Sequence, residues 1–238
     1  MPEITHKLAE LGLSGQLGRE IKHSTFTMPT EYAAFPLDLR YAHTAVFIAQ
    51  NAPLRLIPCE RIVGSATLKE DTDHAIPPLG MKSTTHTTPG WHKALTLGYC
   101  GIRKSIEQRL QKQNLDEKGI ELLKAMQICL DAADIWHQRY MQELTKRIAS
   151  SNGIEKQRYE EVRNALANVP NNPPRNFYEA VQSLWFMYSF NRLMGNWLGI
   201  GRIDEMLGPY LQRDIKSGVL TIDDARDILA HFWIKGTE

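Results

Sequence analysis

A single histidine stands in a stretch rich in threonine, where its ring could take part in proton transfer. His86 is flanked by Thr84, Thr85, Thr87 and Thr88. An imidazole titrates near neutral pH, so a histidine in such a loop could act as a general acid or base. The alternative is a loop histidine that only bonds to the neighbouring threonines. The residues by themselves leave both interpretations open.

A second candidate is the glycine-rich segment GNWLGIGRIDEMLGPY, residues 195–210, which lies between two apolar helical patterns. Gly199 and Gly201 alternate with bulky residues, which is typical of a strand that another group must approach closely. Arg202 and Asp204 follow at once. Their opposite charges and close spacing favour a structural ion pair over contact with a substrate.

Other residues that could carry chemistry form no recognisable set. His92, His137 and His231 are predicted to lie on helices without the partner histidine or glutamate that a zinc protease needs. The sequence contains neither a phosphate-cradling Gly-x-x-x-x-Gly-Lys motif nor a Gly-x-Ser-x-Gly motif. We therefore expect no metal site, and a hydrolase built around His86 would lack a nucleophile.

Composition limits the classes of partner. The 238 residues carry a net charge of +1, with 42% apolar and 23% charged side chains. This near-neutral charge argues against binding to nucleic acid, which needs an excess of positive charge. Cys59, Cys100 and Cys129 have no metal-ligand spacing, and so few unpaired cysteines indicate a reducing compartment. The sequence has no signal core and no run of about 18 apolar residues. We expect a cytoplasmic protein that binds neither nucleic acid nor a membrane.

Apolar residues that recur at intervals of three and four predict a mainly helical chain. The predicted helices cover residues 37–50, 89–111, 116–149, 155–167, a stretch from Pro174, residues 209–217 and a last helix capped by Thr221 and Asp224. The third would be about 50 Å long, more than a small domain needs, and indicates part of something larger. A strand is predicted at Arg61–Leu68, and a long loop at residues 70–91.

Three blocks of the sequence, in order, resemble the glycyl radical enzymes of the pyruvate formate-lyase-like family. The blocks are PLRLIPCERIVGSATL at residues 53–68, THTTPGWHKALTLGYCGIRKSIEQRL at residues 85–110, and residues 176–235 from NFYEAVQSLWFMYSF through GIGRIDEMLGPY to HFWIK. Together they cover about half of the chain. Each block is weak alone, but three in order are fairly specific.

The resemblance implies a fold and a domain organisation. The family folds as a ten-stranded α/β barrel wrapped in helices, so we expect a mainly α chain with a few strands that supplies outer helices and the first barrel strands. Residues 1–30 would be an N-terminal arm, and residues 31–238 the N-terminal portion of a truncated pyruvate formate-lyase-like domain. The sequence stops soon after a helix whose apolar face still lacks a partner, which favours the same expectation.

The resemblance also implies what this chain lacks. The family holds a stable radical on a glycine near its C-terminus, installed by a separate radical-SAM iron–sulfur activase, and a cysteine at the barrel centre takes the radical to the substrate. Both positions lie beyond the matched blocks. Cys59, Cys100 and Cys129 fall in the wrong blocks for that role. We therefore expect no catalytic residue and no bound cofactor in this chain.

The resemblance assigns substrate-contacting positions to His86, Asn196, Trp197 and Gly199. The matching histidine in dehydratase-like members contacts a substrate oxygen. Several dehydratases carry serine where this chain has Trp197 and Gly199, which argues against a diol or glycerol substrate. A tryptophan there would stack on a flat substrate, or would simply fill space as a packed residue.

The function implied is that of a glycyl radical lyase, dehydratase or formate acetyltransferase-like enzyme of anaerobic metabolism that acts on a small polar organic substrate. This chain alone should be inactive. Its implied partners are the missing C-terminal half, the activating enzyme and, in the full-length form, a second copy in a homodimer. The alternative is a stand-alone helical binding or scaffold protein derived from that fold.

Overall fold

The computed structural model of the protein describes residues 1–17, 27–65, 84, 86–112 and 114–237. These residues form a 3-10 helix at Thr30–Ala34 and eight α-helices: α1 Glu3–Leu13, α2 Leu37–Asn51, α3 Trp91–Leu110, α4 Glu117–Ser150, α5 Gly153–Leu166, α6 Phe177–Leu193, α7 Ile203–Lys216 and α8 Ile222–Lys235. Helices α2 to α5 begin and end within two residues of the predicted bounds, which confirms those predictions. Helix α7 begins six residues before Pro209, where we had expected it to start.

Helix α6 is the centre of the fold. Most of its residues are buried on every side, as the apolar pattern predicted. Asn176 caps its first turn by accepting the Glu179 N–H at 2.8 Å. Helices α3, α5, α7 and α8 pack around it.

The long helix α4 supports the other side of the core. Asp116 caps it by accepting the Gly119 N–H at 2.8 Å, and its 34 residues give a length of about 50 Å. Helices α2, α3 and α5 pack along it. Trp136 and Tyr140 project from α4 against Phe186 of α6, with ring centroids 4.5 and 5.4 Å from that of Phe186.

Helix α3 is kinked at Gly98, and the proline-rich turn after α5 fits into the kink. Gly98 has a φ of 62°, which interrupts the helical hydrogen bonds. The amides of Tyr99 and Cys100 donate instead to the carbonyls of Pro170 and Asn171, at 3.0 and 2.9 Å. The kink therefore ties α3 to a turn that is distant in sequence.

A buried polar cluster holds α1 against α8. The Thr5 hydroxyl donates to Asp227 Oδ1 at 2.6 Å and lies 3.3 Å from His231 Nε2. Arg61 donates to Asp227 Oδ2 from its side chain at 3.0 Å and to His231 Nδ1 from its backbone amide at 3.3 Å. Residues of α1, the 57–64 segment and α8 thus share one hydrogen-bond network, which we call the Thr5 cluster.

The expectation of strands and of a barrel portion is wrong. The described part of the chain is helical and contains no β-strand; Trp197 forms only a one-residue bridge. At residues 61–65, the described part of one predicted strand, Gly64 has a φ of 114°, and side chains of α6 bind the backbone. A β-strand needs backbone hydrogen bonds to a neighbouring strand, and these residues lie beside a helix instead. Residues 66–68 lie outside the described part.

Gln182 shows how the helix replaces the ladder. Its amide accepts the Val63 N–H at 3.0 Å and donates to the Val63 carbonyl at 2.9 Å. Trp185 donates from Nε1 to the Gly64 carbonyl at 2.8 Å, and the Tyr178 hydroxyl donates to the Arg61 carbonyl at 2.6 Å. Extended backbone is therefore satisfied without a sheet.

No described helix combines the length and the apolar character that crossing a membrane would require.

Candidate functional site

Two non-helical segments, residues 84 and 86–88 on one side and residues 196–201 on the other, lie side by side and bring the predicted site residues together. The Trp197 amide donates to the Thr84 carbonyl at 2.9 Å, and the His86 amide donates to the Trp197 carbonyl at 3.0 Å. The Gly199 amide donates to the Thr87 carbonyl at 2.9 Å. Trp197 therefore bonds to residues 84 and 86, which are two positions apart on the neighbouring segment. This is the hydrogen-bond pattern of parallel strands. We call this pair of segments the paired loops; Thr85 lies outside the described residues.

The group that approaches the glycines closely is Thr88 of the same chain. A Cβ atom on Gly199 would lie 2.8 Å from Thr88 Oγ1, and one on Gly201 would lie 2.8 Å from Thr88 Cγ2. The inference of a close approach is therefore confirmed, whereas the strand is not. Trp91, at the start of α3, adds a further bond by donating from Nε1 to the Gly199 carbonyl at 2.9 Å.

Asn196 links the paired loops to helix α2 through its side-chain amide. It is buried, its Oδ1 accepts the Thr84 N–H at 2.9 Å, and its Nδ2 donates to the Tyr41 hydroxyl at 2.9 Å. Burial raises the pKa of Tyr41, so the hydroxyl stays protonated at neutral pH. Both ends of the Asn196 amide are used within the protein, and its role in the described structure is to position the loops.

His86 presents its ring on the surface of the paired loops. The residue is exposed, and its φ of 56° places the backbone in the left-handed region. Histidine is among the few non-glycine residues enriched there, and such conformations cluster at functional sites. Its backbone is bonded to Trp197, while its ring has no hydrogen bond to any described residue. None of the described threonines forms a hydrogen bond with the ring.

Trp197 is half exposed, with 50% of its surface accessible. The guanidinium of Arg192, near the end of α6, lies over its ring at 4.0 Å from the centroid. Such cation–π contacts orient an aromatic ring and stabilise it by about 0.5–1 kcal/mol at exposed sites. One face of the indole is therefore covered by Arg192, and the residue lies next to His86 across the loop pair.

Arg202 and Asp204 form the expected ion pair. Arg202 donates to both carboxylate oxygens of Asp204 at 2.8 and 2.6 Å, and it also lies 3.2 Å from Glu205. The hydrogen bond from Arg202 lowers the pKa of Asp204 to about 2. The pair is bidentate and lies at the start of α7, where the Asp204 carboxylate also faces the positive end of the helix dipole.

Sequence reasoning missed the partners that build this site. Tyr41 lies in the predicted helix at residues 37–50, and a buried tyrosine hydroxyl commonly needs a partner, but no local pattern identifies Asn196 as that partner. Thr88 precedes the Pro-Gly pair at residues 89–90, where the chain must turn, and Trp91 follows it. Their contacts with Gly199 depend on a second segment, which local patterns do not identify.

The cysteines and the described histidines other than His86 lie on other elements. Cys100 is on α3, Cys129 is on α4, and Cys59 is buried in the 57–64 segment. Burial raises the pKa of Cys129 to about 11, so this thiol is neutral at pH 7. The described residues contain no group of three or more histidine, cysteine or acidic side chains that could hold a metal ion.

The chain belongs to the pyruvate formate lyase-like family. The model of that family matches residues 80–238, a range that includes both paired loops and helices α3 to α8.

Relatives with known activities are glycyl radical lyases and dehydratases. The isethionate sulfite-lyase of Oleidesulfovibrio alaskensis is 29% identical over 164 residues, which cover 64% of this chain and 20% of that protein. The trans-4-hydroxy-L-proline dehydratase of Clostridioides difficile is 28% identical over 148 residues, which cover 58% of this chain and 19% of that protein. The chain therefore spans about a fifth of the length of these curated relatives.

Solved structures share the fold over the whole chain. A structure from Roseburia inulinivorans, concerned with 1,2-propanediol dehydration, has a TM-score of 0.81 at 17% identity and covers 100% of this chain and 39% of its own. The hydroxyproline dehydratase of Clostridioides difficile, solved with trans-4-hydroxy-L-proline bound, has a TM-score of 0.79 at 18% identity and covers 100% and 40%. At these identities the likeness concerns the fold alone.

Proposed function

We propose that the chain is the N-terminal part of a glycyl radical lyase or dehydratase, in which the paired loops form one wall of the substrate site. The observation that carries the proposal is the pairing of residues 84–88 with 196–201, which sets His86 beside Trp197 within the region matched by the family. The lyase and dehydratase activities of the relatives support this class of reaction.

His86 is the residue of this chain that meets the substrate in the proposal. Its backbone is held by Trp197, and its ring is exposed without a partner among the described residues. A ring held in this way can donate a hydrogen bond to a substrate oxygen or exchange a proton with it. Hydrogen abstraction from the substrate would be supplied by the thiyl cysteine and glycyl radical of the remaining part of the family fold.

The substrate class proposed is a small polar organic molecule. Asn196 positions the paired loops, Trp197 is half exposed with Arg192 over its ring, and the lack of a side chain at Gly199 allows Thr88 to pack against it. Relatives named for isethionate and for trans-4-hydroxy-L-proline fit this class. Tryptophan and glycine at positions where dehydratases often carry serine argue against a diol.

The same proposal includes the domain division and the partners. Residues 1–30 precede a pyruvate formate-lyase-like portion at residues 31–238, which acts with a C-terminal polypeptide carrying the catalytic cysteine and radical glycine. A radical-SAM enzyme activates the assembled protein, which is a homodimer in the cytoplasm of an anaerobically metabolising cell. Within the family, formate acetyltransferase-like chemistry is the remaining option for the reaction.

The experiment is anaerobic reconstitution. The chain is combined with the C-terminal polypeptide and the activating enzyme, radical formation is measured by electron paramagnetic resonance, and products are assayed with isethionate and trans-4-hydroxy-L-proline. We expect a radical and turnover only in the complete mixture. The 238 residues alone should give neither, because they span about a fifth of the length of the curated relatives and the resemblance places the radical glycine beyond them.

His86→Gln tests the assigned role, with His92→Gln, an exposed histidine of α3, as the matched control. Losing a general acid or base lowers turnover by about 10²–10⁴-fold, whereas the radical signal and the melting temperature should stay unchanged. Equal turnover in both variants would remove His86 from the mechanism. A monodisperse chain that melts cooperatively and never associates with the C-terminal polypeptide would favour the stand-alone binding protein.

A further inference from the structure

A cavity of about 390 Å³ lies between α2, α3, α4 and α6, apart from the exposed face of the paired loops. This volume falls within the range of small-molecule pockets. Its walls are mostly apolar, and they include Ile102, Leu130 and Phe190. Leu122 and Met126 stand at the rim, where both are exposed to solvent.

The cavity exists because small residues face it where α2 meets α4. Ala45 of α2 and Ala125 and Ala133 of α4 line the space, and all three are almost fully buried. Protein interiors are normally close-packed, with few voids larger than a water molecule. A space of this size, open at an exposed apolar rim, can therefore admit a ligand.

The charge at the cavity has one sign. Asp38, in the first turn of α2, is the charged residue among the described side chains that line the space, and no described cation pairs with it. The other polar side chains of the lining are the Tyr41 hydroxyl, the Tyr99 hydroxyl, the Cys129 thiol and the Asn191 amide. Because burial raises the pKa of Tyr41 and that of Cys129, both of these groups are neutral at pH 7.

We propose that this cavity binds a small amphiphilic amine, with its apolar ring among the alanines and its ammonium group at the Asp38 carboxylate. An apolar body fits the walls, and burying it supplies most of the affinity. The carboxylate selects the cation over an anion of the same shape, because the latter would be repelled. Tyr41 lines the cavity, and its hydroxyl also accepts a hydrogen bond from Asn196. The ligand would therefore contact a residue that is bonded directly to the paired loops.

The test is isothermal titration calorimetry of the whole chain at pH 7 with three probes of one shape: 2-phenylethylamine, 2-phenylethanol and 3-phenylpropionate. We expect the amine to bind at least about fivefold more tightly than the acid, with the alcohol between them, because an exposed ion pair changes affinity by a few-fold. No binding of the amine, or equal affinity for amine and acid, would overturn the proposal.

Two variants locate the bound amine. Asp38→Asn should weaken amine binding about two- to fivefold, while Glu117→Gln, a matched acid in the first turn of α4, should leave it unchanged. Ala133→Leu fills the cavity and should weaken all the probes that bind, by about tenfold or more. Because Asp38 is exposed, Asp38→Asn should fold even if Ala133→Leu does not, and its amine affinity then decides the test. Unchanged amine binding in Asp38→Asn would contradict the assignment.

Discussion

Backbone conformation at single residues decides how the candidate site is built. His86 keeps a left-handed φ of 56°, and Gly201, with a φ of 81°, lies opposite Thr88. A non-glycine residue in this region costs about 1–2 kcal/mol and persists only where its surroundings hold it. The bond from the His86 amide to Trp197 is one such restraint. The exposed ring is therefore presented from a backbone that is fixed on one side.

At Gly98, both the backbone conformation and the surroundings exclude a side chain. A Cβ atom there would lie 2.5 Å from the Asn171 carbonyl oxygen, and the φ of 62° is unfavourable for any side chain. We expect Gly98→Ala to lower the free energy of unfolding by at least about 2 kcal/mol, measured by urea denaturation.

Gly208→Ala is the matched control. Gly208 lies inside α7, and a Cβ atom there would meet nothing within 4 Å. Alanine is the better helix former, but Pro209 disfavours helical backbone for a preceding residue with a side chain, so this variant should change the free energy of unfolding by less than about 1 kcal/mol. Equal losses in both variants would mean that glycine at residue 98 is not required by the kink.

At the scale of elements, α6 acts as the partner of the 57–64 segment. Gln182 is fully buried and bonds to both polar groups of the Val63 backbone. An unsatisfied buried amide or carbonyl costs about 1–3 kcal/mol. A central helix with buried glutamine and tryptophan donors therefore performs the bonding that a neighbouring strand would otherwise provide.

Gln182→Met should expose the importance of this bonding. Methionine is close in length but cannot bond to Val63, so we expect a loss of about 2–3 kcal/mol in the free energy of unfolding. Gln212→Met, at an exposed position of α7, should change it by less than about 0.5 kcal/mol. Chemical denaturation of each variant measures both values, and a neutral Gln182→Met would refute the account.

The Thr5 cluster makes the joining of α1 and α8 depend on pH. Nδ1 of His231 accepts the Arg61 amide, so the ring proton resides on Nε2, facing Thr5. Burial lowers the pKa of His231 to about 4, against the opposing effect of Asp227. Burial alone would raise the pKa of Asp227, but bonds from Thr5 and Arg61 hold it below its usual range. The charges of Arg158 and Lys235 also disfavour a protonated ring.

Stability should therefore fall as the pH drops from 6.5 towards 4. Between these pH values His231 binds a proton in the unfolded chain but not in the folded one, so acid favours the unfolded chain. The expected loss is about 3 kcal/mol, measured as the free energy of unfolding across that window. The lowered pKa of Asp227 acts in the same direction at more acidic pH.

His231→Gln should flatten this dependence, and His92→Gln, on the exposed face of α3, should preserve it. Some slope will remain in His231→Gln, since burial also lowers the pKa of His137. A dependence as steep as that of the unmodified chain would exclude His231 as its source.

At the scale of the whole molecule, one apolar core links nearly all the helices. Its buried members run from Met28 to Phe232, with Trp136 and Trp185 near its centre. A smaller apolar cluster of Leu8, Leu17, Ile57 and Ile234 lies under α1. The Thr5 cluster spans the two, because Asp227 and His231 lie on the same helix as Ile228 and Phe232 of the main core.

We expect the chain to unfold in a single cooperative transition. A shared core leaves no subset of helices with its own complete apolar interior, so loss of one should expose the others. Helix content from far-UV circular dichroism and tryptophan fluorescence should give coincident curves in urea. Separate midpoints would mean that α1, or another group of helices, unfolds independently.

The sequence alone determined the family and most of the helices, but not α1 or the start of α7. Periodic apolar residues and caps such as Asp116 and Thr221 act within a few residues, so α2 to α5 and the start of α8 could be predicted. The family resemblance was likewise visible in the order of short motifs, and the match over residues 80–238 confirms it.

Tertiary structure decided which distant groups meet. Whether residues 61–65 or 196–201 form strands depends on a neighbouring ladder. Helix α6 lies beside residues 61–65, and the pairing of residues 196–201 with Thr84, His86 and Thr87 is limited to a one-residue bridge. The bond from Thr5 to Asp227 joins residues 222 positions apart, and no local pattern encodes such a pairing. Local spacing fixes periodicity and caps, whereas the partner of a buried polar group is chosen only when the whole chain packs.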